Sequence, residues 1–587
     1  MENKYEWNLS KLYTDFESPK FKEDLAKFEF IINDIIKFSE KELSNGDNAI
    51  EKIEKYINLQ NSLGDVVTSL SSFANLTLAT DSKNSKALKI ADYIENIFTK
   101  IAVPETKFSK WLSSLDLNID EVSKKSELIK EHSYFIKNIL DNAKYNLSEA
   151  EEEVISKFKI TGSSSWEKLW EAETSSHTVD IDEKNIPLAE VRNMAYSSNK
   201  EERKKAYERE IESYKKIEQS SAYCLNSIKG QVITECEMRG YTSPLDMTVR
   251  NSGLDMETLK AMITAMKEYL PNFEKYFIKK AEMLGHKNGL PFYDLFAPMG
   301  KTDITFTYEE AMDFVIENFS KFSKDLGDYA KKAYEERWID VYPKEGKRGG
   351  AFCDNIHSIK ESRILTNFTG SFSDVITLAH ELGHGYHGEC LDTETFLNSD
   401  YPMPIAETAS TFCETIVKTS ALEKADKETA LMILETDLQD SSQVIVDILS
   451  RFIFEDTVFE MRKNGPLSVD ELCEIMLDAQ RKTYGSGLDS DYMHKYMWVC
   501  KPHYYDAGYN YYNFPYAFGL LLAKGLYALY EKNPDTFPQV YKNLLKNTGK
   551  GDLKTVALSV GIDIAKPEFW RSSLDIVKRD IEKFIAL

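Results

Sequence analysis

The chain has 587 residues and a formal net charge of −23 at pH 7, with 42% of residues hydrophobic and 29% charged. That length exceeds one simple core and is ample for two lobes, at roughly 100 to 200 residues per structural unit. So acidic a surface repels polyanions, which excludes nucleic acid and anionic membranes as partners and leaves solubility as the use of the charge.

In chain order, the start Met1-Glu2-Asn3-Lys4-Tyr5-Glu6-Trp7 has no apolar run after a basic segment, and no stretch of about 18 consecutive apolar residues follows anywhere. The expectation is a protein neither exported by a signal peptide nor spanning a membrane. From about 20 to 175 the text is that of long helices with short connections. Asp81-Ser82 is expected to open one through Ala87, Ile90, Ala91, Ile94 and Ile97, and Ser148 with Glu151 caps another that ends near Gly162. Thr178-Val179-Asp180-Ile181 alternates and stops before Pro187, as a small hairpin would. Glu201-Glu202-Arg203-Lys204-Lys205 mixes both signs and reads as a solvated helix face. Between 190 and 340 helices dominate, one capped by Thr307 and Glu310. Gly346-Lys347-Arg348-Gly349-Gly350 lacks the spacing of a phosphate loop. Ile364, Thr366 and Phe368 then alternate within a strand that is either an edge able to hold an extended peptide by main-chain hydrogen bonds or an ordinary strand buried on both sides. Gly349 and Gly350 supply a mobile loop or simply a turn beside it.

Directly after this strand, Ser371 and Asp374 cap a helix whose body is Val375, Ile376, Leu378, Ala379 and Leu382. It carries His380-Glu381-Leu382-Gly383-His384. Histidines four residues apart stand one turn apart on a single helix face, close enough for both imidazoles to reach one metal ion. Glu381 projects beside them, where a carboxylate can take a proton from an attacking water and hand it to a leaving amine. A hydrolytic zinc site takes three protein ligands, so one more donor is needed downstream. A metzincin pattern would put Gly and His where His387 and Cys390 stand, and Glu389 is too close along the same helix to turn back. Beyond the break at Tyr401-Pro402-Met403-Pro404, Glu407, Ser410 and Glu414 share one face of a second helical stretch. Glu407 is assigned as the third ligand and Glu414 as the brace of a ligand His through its far nitrogen. The seven cysteines, at 224, 236, 353, 390, 413, 473 and 500, include no C-x-x-C pair, so reduced thiols in a cytoplasm are expected.

The run His380 to His387 followed by Glu407-x-x-Ser410-x-x-x-Glu414 resembles the M3 family of zinc metallopeptidases, and within it the oligoendopeptidase F group. Trp7-Asn8-Leu9-Ser10-Lys11-Leu12-Tyr13, Ile364 to Gly370 and Tyr511-Tyr512-Asn513-Phe514-Pro515-Tyr516-Ala517-Phe518-Gly519 carry the same resemblance, so it spans nearly the whole chain. It implies a mostly α fold of two helical lobes enclosing a deep substrate channel, with a small β-sheet beside the metal helix. Residues 1–190 would form an N-terminal helical domain covering the channel, and 191–587 the catalytic domain. It implies one Zn2+ per chain on His380, His384 and Glu407, with Glu381 as base. In family members the phenol-rich region here, Lys501 to Tyr512, carries donors to the developing oxyanion; His503, Tyr509 and Tyr512 are chosen. Ile364, Thr366, Phe368, Gly349, Gly350 and His387 are assigned to substrate contact. The activity implied is internal cleavage of short unstructured peptides in the cytoplasm; the oligomeric state is not readable from the sequence, and a monomer is favoured. A metallocarboxypeptidase of similar fold and a peptide-binding protein without catalysis are the competing readings, and the intact Glu381 argues against the latter.

Overall fold

The computed structural model describes residues 4–300 and 305–587. The chain is 71% helical and, among the described residues, strands form only two small sheets, so the mostly α class holds. Local chemistry sets many of the helix ends. Ser148 with Glu151 and Thr307 with Glu310 each make a reciprocal capping box, and Gly162 closes the helix Glu149–Thr161. One start differs from expectation: Asp81 ends the helix Ala49–Thr80, and Asn84 opens the next by accepting from the Ala87 N–H at 3.0 Å. The charged face at 201–205 is also less solvated than its composition suggests, because Arg203 is buried and donates to Asp294 Oδ1 at 2.7 Å. The hairpin forms as expected, pairing Thr178 with Pro187.

The chain gathers into two compact units, each assembled from three separated segments. The first comprises Met1–Lys144, Asp303–Ser420 and Leu529–Ile562. Helices Pro19–Lys41 and Ala49–Thr80 pack Phe21, Phe28 and Ile32 against Leu63, Leu70 and Phe73, and this core continues to Ile356 and Leu365 of a three-stranded sheet. The second unit comprises Tyr145–Thr302, Ala421–Ala528 and Asp563–Leu587. Its core includes Trp170, Tyr214, Ile228, Phe454 and Trp498. There the Trp170 ring stacks on Tyr505 at 4.4 Å and its indole N–H donates to Val499 O at 2.8 Å.

The sheet of the first unit corrects the strand reading. Glu361–Leu365 is its central strand, paired in parallel with Ile339–Asp340 and antiparallel with Phe352–Ile356, and all five of its residues are buried. Ile364 lies between Ile339 and Cys353, Thr366 donates its hydroxyl to Val341 O at 3.0 Å, and the Phe368 N–H donates to Val341 O at 2.9 Å. None of the three offers a main-chain edge to a peptide. The two terminal strands are Ile339–Asp340 and the longer Phe352–Ile356, which begins two residues after Gly350.

From the central strand the chain passes into the helix Phe372–Leu391. Asp374 Oδ2 accepts from the N–H groups of Thr369, Gly370 and Ser371 at 2.9, 3.0 and 3.0 Å, while Ser371 Oγ accepts from the Asp374 N–H, so the helix start is fixed to the strand's exit. Of the apolar body predicted for it, Val375, Leu378, Ala379 and Leu382 are buried and Ile376 is part-exposed. A short helix, Met403–Ala406, then leads through Glu407 into the helix Thr408–Lys424. The two long helices approach backbone to backbone: a Cβ on Gly383 would stand 2.6 Å from Ala409 O and 2.7 Å from Ser410 Cα. Only glycine permits that distance. Gly383→Ala is therefore expected to push the helices apart at an overpacking cost of about 1–3 kcal/mol, lowering both melting temperature and bound metal; unchanged metal content at an unchanged melting temperature would show that the contact is not a constraint.

Candidate metal centre

Helical spacing alone brings His380 and His384 together, and their Nε2 atoms are 3.2 Å apart. Glu407 sits at the joint between the short helix and Thr408–Lys424, and its Oε2 lies 3.3 Å from each imidazole Nε2. The three atoms make a nearly equilateral triangle. Donors held 2.0–2.1 Å from a tetrahedral ion stand about 3.3–3.4 Å apart, so the edges match one face of a zinc coordination tetrahedron. The same three residues form a group able to hold a metal, with their donor atoms within 4.8 Å of one another. Each is also held from behind. Ser410 Oγ donates to Glu407 Oε2 at 3.0 Å, and the Asn355 amide of the terminal strand donates to the His384 carbonyl at 3.0 Å. Glu414 Oε1 lies 2.6 Å from His380 Nδ1, which assigns the ring proton to Nδ1 and leaves the Nε2 lone pair for a metal.

The electrostatics favour a cation at the triangle. Burial disfavours the His380 imidazolium, but hydrogen bonds to Glu407 and Glu414 outweigh it and hold the pKa up to about 10. Glu407 is buried as well, yet the two imidazoles hold its carboxyl well below the usual carboxylate range. Burial likewise opposes ionisation of Glu414, whereas Lys418, 2.9 Å from its other oxygen, and His380 bring its pKa down to about 2. Glu381 is shifted the other way: it is 5% exposed, and loss of water around it raises its pKa despite the neighbouring histidines. A carboxylate destabilised as an anion in this way is a better proton acceptor.

The other expected site residues have the following surroundings. His387 is fully buried, its Nε2 2.9 Å from Thr548 Oγ1 and its ring stacked on Tyr401 at 4.1 Å; burial and His384 bring its pKa down to about 3. It is a neutral interior residue with no surface for substrate. Gly349 and Gly350 have no atom within 4 Å of a notional Cβ, and Gly350 has φ +78°. His503, Tyr509 and Tyr512 belong to the second unit, where His503 stacks on Tyr512 at 5.3 Å and Tyr509 meets Tyr512 edge-on at 5.4 Å. Tyr509 is 62% exposed, whereas Tyr504 and Tyr505 are fully buried. Two contributors were missed in the sequence. Lys418 follows Glu414 by four residues, a pairing interval legible on any helix, whereas nothing local marks Asn355.

Residues 193–576 match the family model described as Peptidase family M3, and residues 101–177 match that described as Oligopeptidase F. The expected boundary at 190 falls between these matches, although the compact units interleave along the chain. Oligopeptidase PepF of Bacillus subtilis is 24% identical, over 96% of this chain and 84% of its own length. Group B oligopeptidase PepB of Streptococcus agalactiae is also 24% identical, over 100% and 98% respectively. The crystal structure of oligoendopeptidase-F from Enterococcus faecium superposes with a TM-score of 0.68 at 18% identity, covering 96% of this chain and 98% of that one. With a histidine pair, a converging glutamate and an adjacent buried carboxylate at the heart of the matched region, the chain belongs to peptidase family M3.

Proposed function

We propose that this chain is a zinc-dependent oligoendopeptidase that hydrolyses internal bonds of short unstructured peptides. The observation that carries this reading is the triangle of His380, His384 and Glu407 with Glu381 beside it, since a three-donor face leaves an open position for substrate and water. When bound, zinc supplies Lewis acidity toward a water and the scissile carbonyl. Glu381 takes the proton from the attacking water at a carboxylate oxygen and delivers it to the leaving amine, a role its raised pKa supports. Glu414 keeps the His380 proton on Nδ1 throughout. An extended peptide pairs with the terminal strand Phe352–Ile356, whose residues 352–355 are part-exposed, and this replaces the assignment of Ile364, Thr366 and Phe368. The relatives' names as oligopeptidases support a preference for short substrates. His503 and Tyr512 donate to the developing oxyanion; burial lowers the His503 pKa, so its ring is neutral, and its Nδ1 is buried without a partner. The seven cysteines are unpaired and no helix among the described residues is long and apolar enough to cross a membrane, both of which accord with a cytoplasmic enzyme. The direct test is mass spectrometry of a peptide mixture incubated with the protein, with and without a chelator. Internal cuts that the chelator stops are expected; stepwise loss of C-terminal residues would point instead to a carboxypeptidase, and intact peptides to a binding protein.

Variants separate the roles of the carboxylates. Glu381→Gln should retain stoichiometric zinc and lose turnover, because Gln keeps the shape and cannot take the proton. Glu407→Ala should strip the metal outright, whereas Glu414→Ala should weaken affinity or activity by about 10 to 100-fold. Zinc analysis beside kcat decides: equal metal loss in the two Ala variants means that the ligand and its brace are wrongly assigned.

For the oxyanion donors, Tyr512→Phe and His503→Ala should each lower kcat by about 10² to 10³ with zinc and KM little changed. Tyr504→Phe should keep its activity, since that ring is buried packing. Normal kcat in both Tyr512→Phe and His503→Ala would make the segment structural.

A further inference from the structure

Within the second unit, Arg192, Arg451 and Lys501 wall one cavity of about 50 Å³. Two of the three cations have carboxylate partners. Arg192 Nη1 lies 2.7 Å from Glu210 Oε1, and Arg451 Nη2 pairs with Asp447, which also lines the cavity. The Lys501 carbonyl accepts from the Tyr504 N–H at 3.3 Å, but its ammonium has no hydrogen bond or ion pair among the described residues. Burial, together with Arg451 and Arg192, brings its pKa down to about 8 against the opposing pull of Asp447, so at neutral pH the ammonium is still mostly charged. Arg451, with a side chain 8% exposed, has a second unmet need: its Nε is buried without a partner. A buried N–H left in this state is destabilising, and Lys501, which is half-buried, is an ammonium with no carboxylate of its own to pair with.

The backbone is also unusual here. The helix Lys427–Ser442 passes into a π-helical turn, Gln443–Asp447, before resuming as Ile448–Arg462, and Ser442, Gln443 and Asp447 all line the cavity. Such turns occur frequently at functional sites because the extra residue opens the helix wall. The space is not that of a single water, which needs only about 10–15 Å³ by the same measure; several waters or one small anion fill it.

We propose that this cavity binds one small monoanion, a halide or a carboxylate, between Lys501 and Arg451. The occupant supplies the missing negative charge to Lys501 and an acceptor to Arg451 Nε. It also bears on the tyrosine-rich segment, because Lys501 precedes His503 by two residues and Arg451 Nη1 donates to Asn513 Oδ1 at 3.0 Å, which ties both ends of 501–513 to the cavity wall. The binding itself is independent of the catalytic reading.

The experiment is a melting-temperature titration of the whole protein with sodium chloride or sodium acetate, ionic strength being held constant with PIPES, a sulfonate too large for the cavity. A saturable rise of about 1–3 °C is expected with at least one of the two anions. Chloride alone identifies a halide site; acetate identifies a carboxylate site, open to the acidic groups of peptides. Lys501→Met should abolish the saturable response and Lys501→Arg should keep it. A rise no greater than in PIPES alone, or a response that persists in Lys501→Met, overturns the proposal.

Discussion

The close approach of two helices at Gly383 is the constraint on which the metal centre depends. An α-helix supplies two ligands by its own periodicity, but the third must come from another segment, and a carboxylate side chain is short. With Glu407 at the joint before Thr408–Lys424, its Oε2 reaches both imidazoles only because Ala409 and Ser410 press onto a residue without a side chain. Aromatic packing holds that contact closed from the far side. Phe412 of the second helix stacks on Tyr541 at 4.4 Å and meets Phe322 edge-on at 4.9 Å, so two separated segments of the first unit, Asp303–Ser420 and Leu529–Ile562, meet at this contact. Aromatic pairs contribute roughly 0.5–1.5 kcal/mol each beyond the area they bury, comparable with what forcing the backbones together opposes.

Electrostatics then divides labour among carboxylates that the sequence presents as equivalent. Glu407 and Glu414 each touch an imidazole, and Glu414 also has Lys418, so both remain anionic in a buried setting. For Glu381, burial is the leading influence and the nearby histidines do not cancel it, which moves its pKa upward. The different settings of the three carboxylates therefore follow from which partner lies within hydrogen-bond distance, not from residue type.

The readability of the sequence tracks how local each determinant is. His380, Glu381 and His384 lie within five residues on one helix, and the Ser371–Asp374 cap that starts it spans four, so period and capping chemistry suffice. Glu407 needed only the argument that a third donor lies past the next break. The edge reading of the strand failed for a physical reason: Ile364, Thr366 and Phe368 alternate, and alternation signals a one-sided strand, yet Glu361–Leu365 lies mid-sheet between Ile339–Asp340 and Phe352–Ile356 with every residue buried, and Thr366 and Phe368 are buried beyond its end. Which strand is terminal depends on partners that no window around residue 364 contains. His387 misled similarly, since its burial against Tyr401 and Thr548 joins residues up to 161 positions apart. Interleaved units cannot be read from a linear pass at all.

The tyrosine-rich segment shows how buried charge substitutes for regular structure in fixing a loop. Tyr511 has φ +52°, a left-handed conformation that bulky residues rarely hold, and such strain persists only where neighbours over-determine it. Here they do. The Tyr511 N–H donates to Glu455 Oε2 at 3.0 Å, and the other oxygen of that carboxylate takes the buried Lys229 ammonium at 2.6 Å. Lys229 also donates to Asn510 Oδ1 at 2.9 Å, and Thr248 Oγ1 to Asn510 O at 3.0 Å. With Arg451 on Asn513, the residues Asn510, Tyr511 and Asn513 are each held by a group that is itself buried and ion-paired. Removing one partner of such a pair leaves the other charge stranded, a loss of about 3–5 kcal/mol, so the loop's geometry is coupled to the core of its unit. The geometry around Tyr512 and His503 is consequently set by buried ion pairs in the core of the second unit.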